Sequence, residues 1–251
     1  MAESPCKIQF FSTCLVEAIR PEAGIAAVRV LERAGCEVLC PAGQTCCGQP
    51  AYNAGCHHDA RAMARHTIDT LRQSRDPVVV PSGSCADMIV HHYPELLAGE
   101  PEYLEAAREL AARSFEFSQF LTDVLHQEAF GARGRGRIAY HASCHLLRGL
   151  KVSAGPERLL AGIEGAELVP LAGAEDCCGF GGLFALEMSD ISGAMLKRKI
   201  ERILESGADA VVACDAGCLM HIEGGLRRQA ARVKLLHLAE ALVRSEDRAE
   251  P

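Results

Sequence analysis

Tryptophan is absent from the 251 residues, and aromatics together reach only 5%. Proteins that hold single-stranded nucleic acid stack bases on aromatic platforms, so that class finds little support. A basic excess is missing as well: 26 Lys and Arg face 33 Asp and Glu, a formal charge of −7. General nucleic-acid binders carry the opposite sign, and no nucleic-acid partner is expected. No apolar run approaches the roughly 18–20 residues of a transmembrane segment. Met1 to Lys7 shows no basic region followed by an apolar stretch, so no secretory signal is expected and the compartment read from it is cytoplasmic. Several motifs are missing too. No Walker-type Gly-x4-Gly-Lys-Ser/Thr or Ser-His-Asp order stands out, and Gly179-Phe180-Gly181-Gly182 is too short for a dinucleotide fingerprint. The Cys-x2-Cys knuckle of zinc ribbons does not occur.

What the chain does have is thirteen cysteines. In a small secreted protein they would read as disulfides. In a chain of this length without a signal they point to metal or redox chemistry. Eight of them repeat a pattern: Cys14, Cys46-Cys47-Gly48 and Cys85, then Cys144, Cys177-Cys178-Gly179 and Cys218. Flanking residues repeat as well. Phe11-Ser12-Thr13-Cys14 matches His141-Ala142-Ser143-Cys144, and Val79 to Cys85 matches Val212 to Cys218. A tandem duplication explains this, with units at 1–130 and 131–251.

Strand and helix alternate within each unit. Strands are read at Lys7–Ser12, Cys36–Cys40, Val78–Val80, Arg137–Ala142, Ala166–Leu171, Asp209–Ala213 and Val233–Leu236. Helices are read at Pro21–Ala34, Asn53–Arg75, Pro101–Gln127, Pro156–Ile163, from the Gly182 loop to Ser206, and at the C-terminus to Arg244, with Ser245 to Pro251 read as frayed. Pro101–Gln127 is read as one amphipathic bridge between units, and Gly131–Gly136 as the linker. The fold class is α/β: two pseudo-symmetric units, each with a mainly parallel sheet flanked by helices. Sites in such sheets form beyond the C-terminal strand ends, where all eight patterned cysteines fall.

Thiolates are soft ligands suited to zinc or iron–sulfur clusters. Adjacent cysteines in an extended segment point to opposite faces. Both reach one site only if the chain turns sharply, which Gly48 and Gly179 permit. A multi-iron cluster, with several acceptor atoms, suits such a pair better than a single ion. Cys6, Cys36, Cys40 and Cys56 lie outside the pattern and read as small apolar residues. His141 is read as support for the site or as core, rather than as a ligand. His91, His92 and His221 read as polar helix faces.

At these residues, and through Ala-Ser-Cys-His-Leu-Leu-Arg, Glu-Asp-Cys-Cys-Gly-Phe-Gly-Gly and Gly-Cys-Leu-Met-His-Ile, the chain resembles the CCG cysteine-rich domain family. Members include iron–sulfur subunits of heterodisulfide reductase and of glycolate oxidation, and free-standing two-domain proteins of lactate utilisation, which it resembles most. The resemblance implies an electron-transfer subunit in a complex oxidising L-lactate or a related 2-hydroxy acid, beside a ferredoxin-like iron–sulfur partner and further subunits. It implies a 4Fe–4S cluster, noncubane in some members and held there by five cysteines. Carried over, the C-terminal site uses Cys144, Cys177, Cys178, Cys214 and Cys218, and the N-terminal site uses Cys14, Cys46, Cys47 and Cys85. The final motif here is Cys-x3-Cys rather than Cys-x2-Cys, and Pro81 stands where Cys214 has its counterpart. The N-terminal site is therefore left with a different cluster, zinc or nothing. Two other readings stand beside this one: a zinc-binding docking module, and a thiol redox unit like heterodisulfide reductase.

Overall fold

Val78-Val79-Val80 shows why the sheets form. Three β-branched residues in a row, all fully buried, suit a strand covered on both faces. The computed structural model describes residues 6–243. Strands β1 (Cys6–Phe10), β2 (Cys36–Leu39), β3 (Val78–Val80) and β4 (Ser114–Glu116) form a parallel sheet in the order β2-β1-β3-β4. Strands β5 (Arg133–His141), β6 (Glu164–Val169), β7 (Ala210–Ala213) and β8 (Lys234–His237) repeat it as β6-β5-β7-β8. Each sheet is flanked by helices, as the alternation requires. The chain reverses its direction of strand addition between β1 and β3, and again between β5 and β7. Beyond such switch points the loops part and leave a crevice.

Three readings need correction. Pro101–Gln127 is not one helix. The helix ends at Ala112, Ser114–Glu116 is the edge strand β4, and helical structure resumes at Phe117. Three residues are too few to show a period of two, and the surrounding apolar spacing masks them. Gly131–Gly136 is not a free linker. From Arg133 onward it is the start of β5, paired with β6 through Arg133 and Glu164 and bulged before Gly136, whose φ is +87°. Glycine in a strand marks such bulges. Gly55 (φ +76°) also splits the reading of Asn53–Arg75, so that helices run Gln49–Asn53 and His57–Leu71. The expected helix end at Arg244 and the frayed tail lie outside the described residues.

The halves exchange their last helices. Leu238–Leu242, following β8, packs on Pro21–Arg33 of the first half, and the helical segment after β4 packs on Ala154–Ala161 of the second. One apolar core therefore runs through both, from Ile8 and Phe10 to Tyr140 and Leu242. Burying such side chains contributes roughly 1.5–3 kcal/mol each. This shared core brings the C-terminal ends of both sheets face to face.

No helix among the described residues is long and apolar enough to cross a membrane.

Candidate metal centre

Where β3 and β7 end, two helices start back to back. Ser82 caps the helix Gly83–Asp87, its Oγ accepting from Cys85 N. Asp215, its counterpart in the duplication, caps Ala216–Arg228 by accepting from Gly217 N. The two caps also bond each other across the pseudo-symmetry axis: Asp215 Oδ2 accepts from Ser82 Oγ at 3.1 Å and from Ser84 N at 3.0 Å. Gly83 N donates to Cys214 O at 3.2 Å, and His237 Nε2 donates to Pro81 O at 3.1 Å. His237 Nδ1 accepts from Ala239 N, so its tautomer is set and the ring is neutral. Burial holds its pKa down at about 4.

These caps aim two helix N-termini, each carrying a cysteine in its first turn, at one cavity of about 230 Å³. Both cysteine quartets line it: Cys14, Cys46, Cys47 and Cys85 on one side, Cys144, Cys177, Cys178 and Cys218 on the other. Each quartet has a deep pair and a shallow pair. Cys47 and Cys85 are buried with Sγ atoms 3.1 Å apart, and Cys178 and Cys218 are buried at 3.3 Å. These separations exceed a disulfide bond of about 2.05 Å, and all thirteen cysteines are free. The shallow pairs are Cys14 with Cys46 and Cys144 with Cys177. The turn that lets adjacent cysteines share a site is present in both halves, with φ +85° at Gly48 and +93° at Gly179. Gly48 N approaches Cys46 Sγ at 3.5 Å and Gly179 N approaches Cys177 Sγ at 3.4 Å.

Packing thiols this closely splits their acidities. Hydrogen bonds from Cys14 and Cys47 draw Cys46 down to about 3, and those from Cys144 and Cys178 draw Cys177 down to about 2. Cys14 and Cys144 are pushed up, first by hydrogen bonding to those thiolates and then by burial. In the C-terminal quartet a hydrogen bond from Cys178 also draws Cys218 down to about 6. Thiolates shared by neighbouring thiols make an anionic pocket suited to a soft cation. Among the described residues, Thr13 Oγ1 and its counterpart Ser143 Oγ on the cavity lining, and His141 Nε2 beside Cys178 and Cys218, are buried without a hydrogen-bond partner. Such orphaned atoms in a soft-donor pocket fit a bound metal or sulfide-bearing group. Thr13 also holds φ +67°, a strained conformation for a β-branched residue.

Cys214 is not brought to its four companions. It is fully buried on the other face of β7, 3.8 Å from Tyr140 Oη. Strand alternation separates it from Ala213, which packs with Cys178 and Cys218. Of the unpatterned cysteines, Cys36 is buried and abuts Cys6 across β1 and β2, whereas Cys40 and Cys56 are exposed rather than core. His91 and His92 sit beside the buried Asp87, and His221 lies 3.3 Å from Ser192 Oγ. The cross-axis caps were not singled out from sequence. Their signal was the matched Ser82 and Asp215, each one residue beyond the position where Pro81 replaces a cysteine.

Two repeats of a cysteine-rich α/β unit define the class. The CCG family model, described as a cysteine-rich domain, matches residues 8–90 and 138–223, and the chain belongs to this family. Among its relatives, "Lactate utilization protein A" of Geobacillus sp. (strain WCH70) is 47% identical over 236 residues, spanning 94% of this chain and 98% of that protein. The protein of the same name from Macrococcus caseolyticus is 46% identical, spanning 94% and 96%. A crystal structure of a hypothetical protein from Helicobacter pylori shares the fold, with a TM-score of 0.63 at 12% identity. It matches 98% of this chain, which spans half of that one.

Proposed function

We propose that this chain is an iron–sulfur electron-transfer subunit of a system that oxidises L-lactate, or a related 2-hydroxy acid, to the 2-oxo acid. The observation that carries the reading is the pair of thiol quartets facing one cavity. The name of its relatives supports the substrate class. Oxidising a 2-hydroxy acid to a 2-oxo acid releases two electrons and two protons. An iron–sulfur group, when bound, supplies reversible one-electron storage. The residues of this chain would do the rest. Cys144, Cys177, Cys178 and Cys218 would hold that group in the C-terminal half, and the helix N-terminus under Asp215 would offset its negative charge. Cys14, Cys46, Cys47 and Cys85 would hold a second centre. Electrons would pass by way of the half-buried thiols to a ferredoxin-like partner subunit and to further subunits of the complex. We assign residues 1–130 and 131–251 as the two units. A reducing, cytoplasmic setting suits thirteen free thiols.

Anaerobic reconstitution with iron and sulfide tests the proposal. Iron and acid-labile sulfide held by the chain, with visible absorption that bleaches on reduction, is the expected result. A chain that takes up neither would sink it. Zinc at the N-terminal quartet is a second reading, favoured by its four cysteines without a nitrogen donor, a composition typical of structural zinc.

A further inference from the structure

The two halves of the cavity differ at one residue that the duplication makes directly comparable. Where the first half has Phe11, buried and apolar, the second has His141. His141 ends β5 and Phe11 follows the last residue of β1, three residues before Cys144 and Cys14 respectively. Alternation along β5 turns Tyr140 toward Cys214 and His141 to the opposite face, where Cys178 and Cys218 lie.

We infer that His141 Nε2 is a metal ligand of the C-terminal centre, taking the place of the fifth donor that Cys214 does not supply. His141 is fully buried. A ring nitrogen of His141 and the Sγ atoms of Cys178 and Cys218 lie within 4.8 Å of one another. Nδ1 sits 3.1 Å from Ala174 O, which accepts its proton. With Nδ1 turned to that carbonyl, Nε2 is the ring nitrogen left to face the sulfurs, and it has no hydrogen-bond partner. A fully buried ring nitrogen without a partner is destabilising, and a cation between it and the thiolates removes that cost. Fixing the far nitrogen on a backbone carbonyl is also how metal-bound histidines are oriented.

The carbonyl itself is anchored. Ala174 O also accepts from Ala142 N at 3.2 Å and from Lys199 Nζ at 3.4 Å, and Lys199 Nζ bonds Gly173 O at 2.5 Å. Lys199 is a buried cation near Cys178 and Cys218, and burial lowers its pKa. Its counterpart follows from the packing of the two glycines: Gly179 abuts Ser192 and Met195 as Gly48 abuts Ala60 and Met63. That spacing sets Lys199 against Thr67, a neutral residue. The second half thus has both a nitrogen donor and a buried positive charge that the first lacks. A single lysine beside a thiolate-rich centre offsets part of its charge, and an imidazole in place of a fifth thiolate makes the site one unit less negative.

The inference rests on the C-terminal quartet binding metal but not on that metal being iron–sulfur, so cobalt(II) alone serves as the probe. It is added anaerobically to the metal-free Cys46→Ser/Cys47→Ser chain, in which the N-terminal quartet is disabled, and read by X-ray absorption. The expected shell contains one imidazole nitrogen with thiolate sulfurs. His141→Gln removes the nitrogen and weakens cobalt binding about tenfold or more. His141→Cys gives an all-sulfur shell with binding retained. A sulfur-only shell while His141 is present overturns the inference. If the double-serine chain does not fold, the intact chain and its His141→Gln variant are compared, and an unchanged nitrogen contribution overturns it equally. A chain that binds cobalt through His141 yet takes up no iron or sulfide would end the iron–sulfur reading and leave this one standing.

Discussion

The halves of this molecule are copies in backbone and unlike in chemistry. Both carry a thiol quartet on the same three strand ends, with the same deep and shallow pairs and the same left-handed glycine after the paired cysteines. Around the N-terminal quartet stand Phe11, Thr67 and Pro81. Around the C-terminal one stand His141 and Lys199, both buried, while Cys214, the counterpart of Pro81, faces away. Duplication preserved the frame, and residues near the quartets diverged. A duplicated fold is therefore no evidence that both sites do the same thing. Equal quartets would allow two metals, and unequal surroundings would give them different charge compensation and donor sets.

The comparison breaks most sharply at the deep cysteines. Cys178→Ala is expected to empty the C-terminal centre and leave the N-terminal one loaded, and Cys47→Ala to do the reverse. Metal counts on the two anaerobic variants check this, and loss of all metal from either would mean the quartets act as one site. The caps come next. Asp215 accepts from Ser82 Oγ, Ser84 N and Gly217 N while buried. Asp215→Ala leaves those donors unsatisfied and should cost about 3 kcal/mol, against about 1 kcal/mol for Ser82→Ala. Denaturant unfolding of the metal-free protein separates the two, and equal losses would put the axis bonds in doubt.

A pH experiment sharpens the contrast further. Glu116 and His237 occupy matched positions at the ends of β4 and β8, and each caps the helix that follows. Burial raises Glu116 to about 7 and lowers His237 to about 4. A carboxyl raised in the folded state contributes stability that is full below its unfolded pKa and is lost as pH rises through 7. A histidine lowered in the folded state contributes stability that is full above its unfolded pKa and is lost as pH falls through 4. Glu116→Gln should therefore flatten the alkaline limb by about 2 kcal/mol between pH 5 and pH 8, and His237→Gln the acid limb. Unfolding curves across pH test both, and an unaltered alkaline limb in the Glu116→Gln variant would count against a buried neutral Glu116. The smallest effect is expected at the turns. A Cβ at Gly179 would lie 2.7 Å from Ser192 O, whereas one at Gly48 would meet Met63 Cβ at 3.2 Å. Gly179→Ala should thus cost about 1 kcal/mol more than Gly48→Ala, measurable as a difference in Tm.

Much of this was legible in the chain. Val78-Val79-Val80 announces a buried strand, Pro21 and Gly35 bracket a helix, and the repeated Cys-Cys-Gly with its flanking cysteines marks both quartets. Other features were not. Ser114-Phe115-Glu116 is too short to show a strand period, and only pairing with Val78–Val80 makes it one. Arg133-Gly134-Arg135-Gly136 has linker composition, and becomes a strand because β6 lies beside it. Cys214 has the spacing of a ligand, but a strand shows alternate faces, and one residue decides which face a side chain takes.

The sequence by itself determined the duplication, the α/β alternation and the identity of the eight thiols, because these depend on residue type and local spacing. Only the tertiary structure decided that both quartets open on one cavity, that Cys214 faces away and that His141 faces in. Those outcomes depend on how two sheets share a core and exchange their last helices, and on contacts between residues more than a hundred positions apart, such as Ser82 and Asp215. No local pattern encodes such contacts, because their free energy arises only when both halves are folded and packed together.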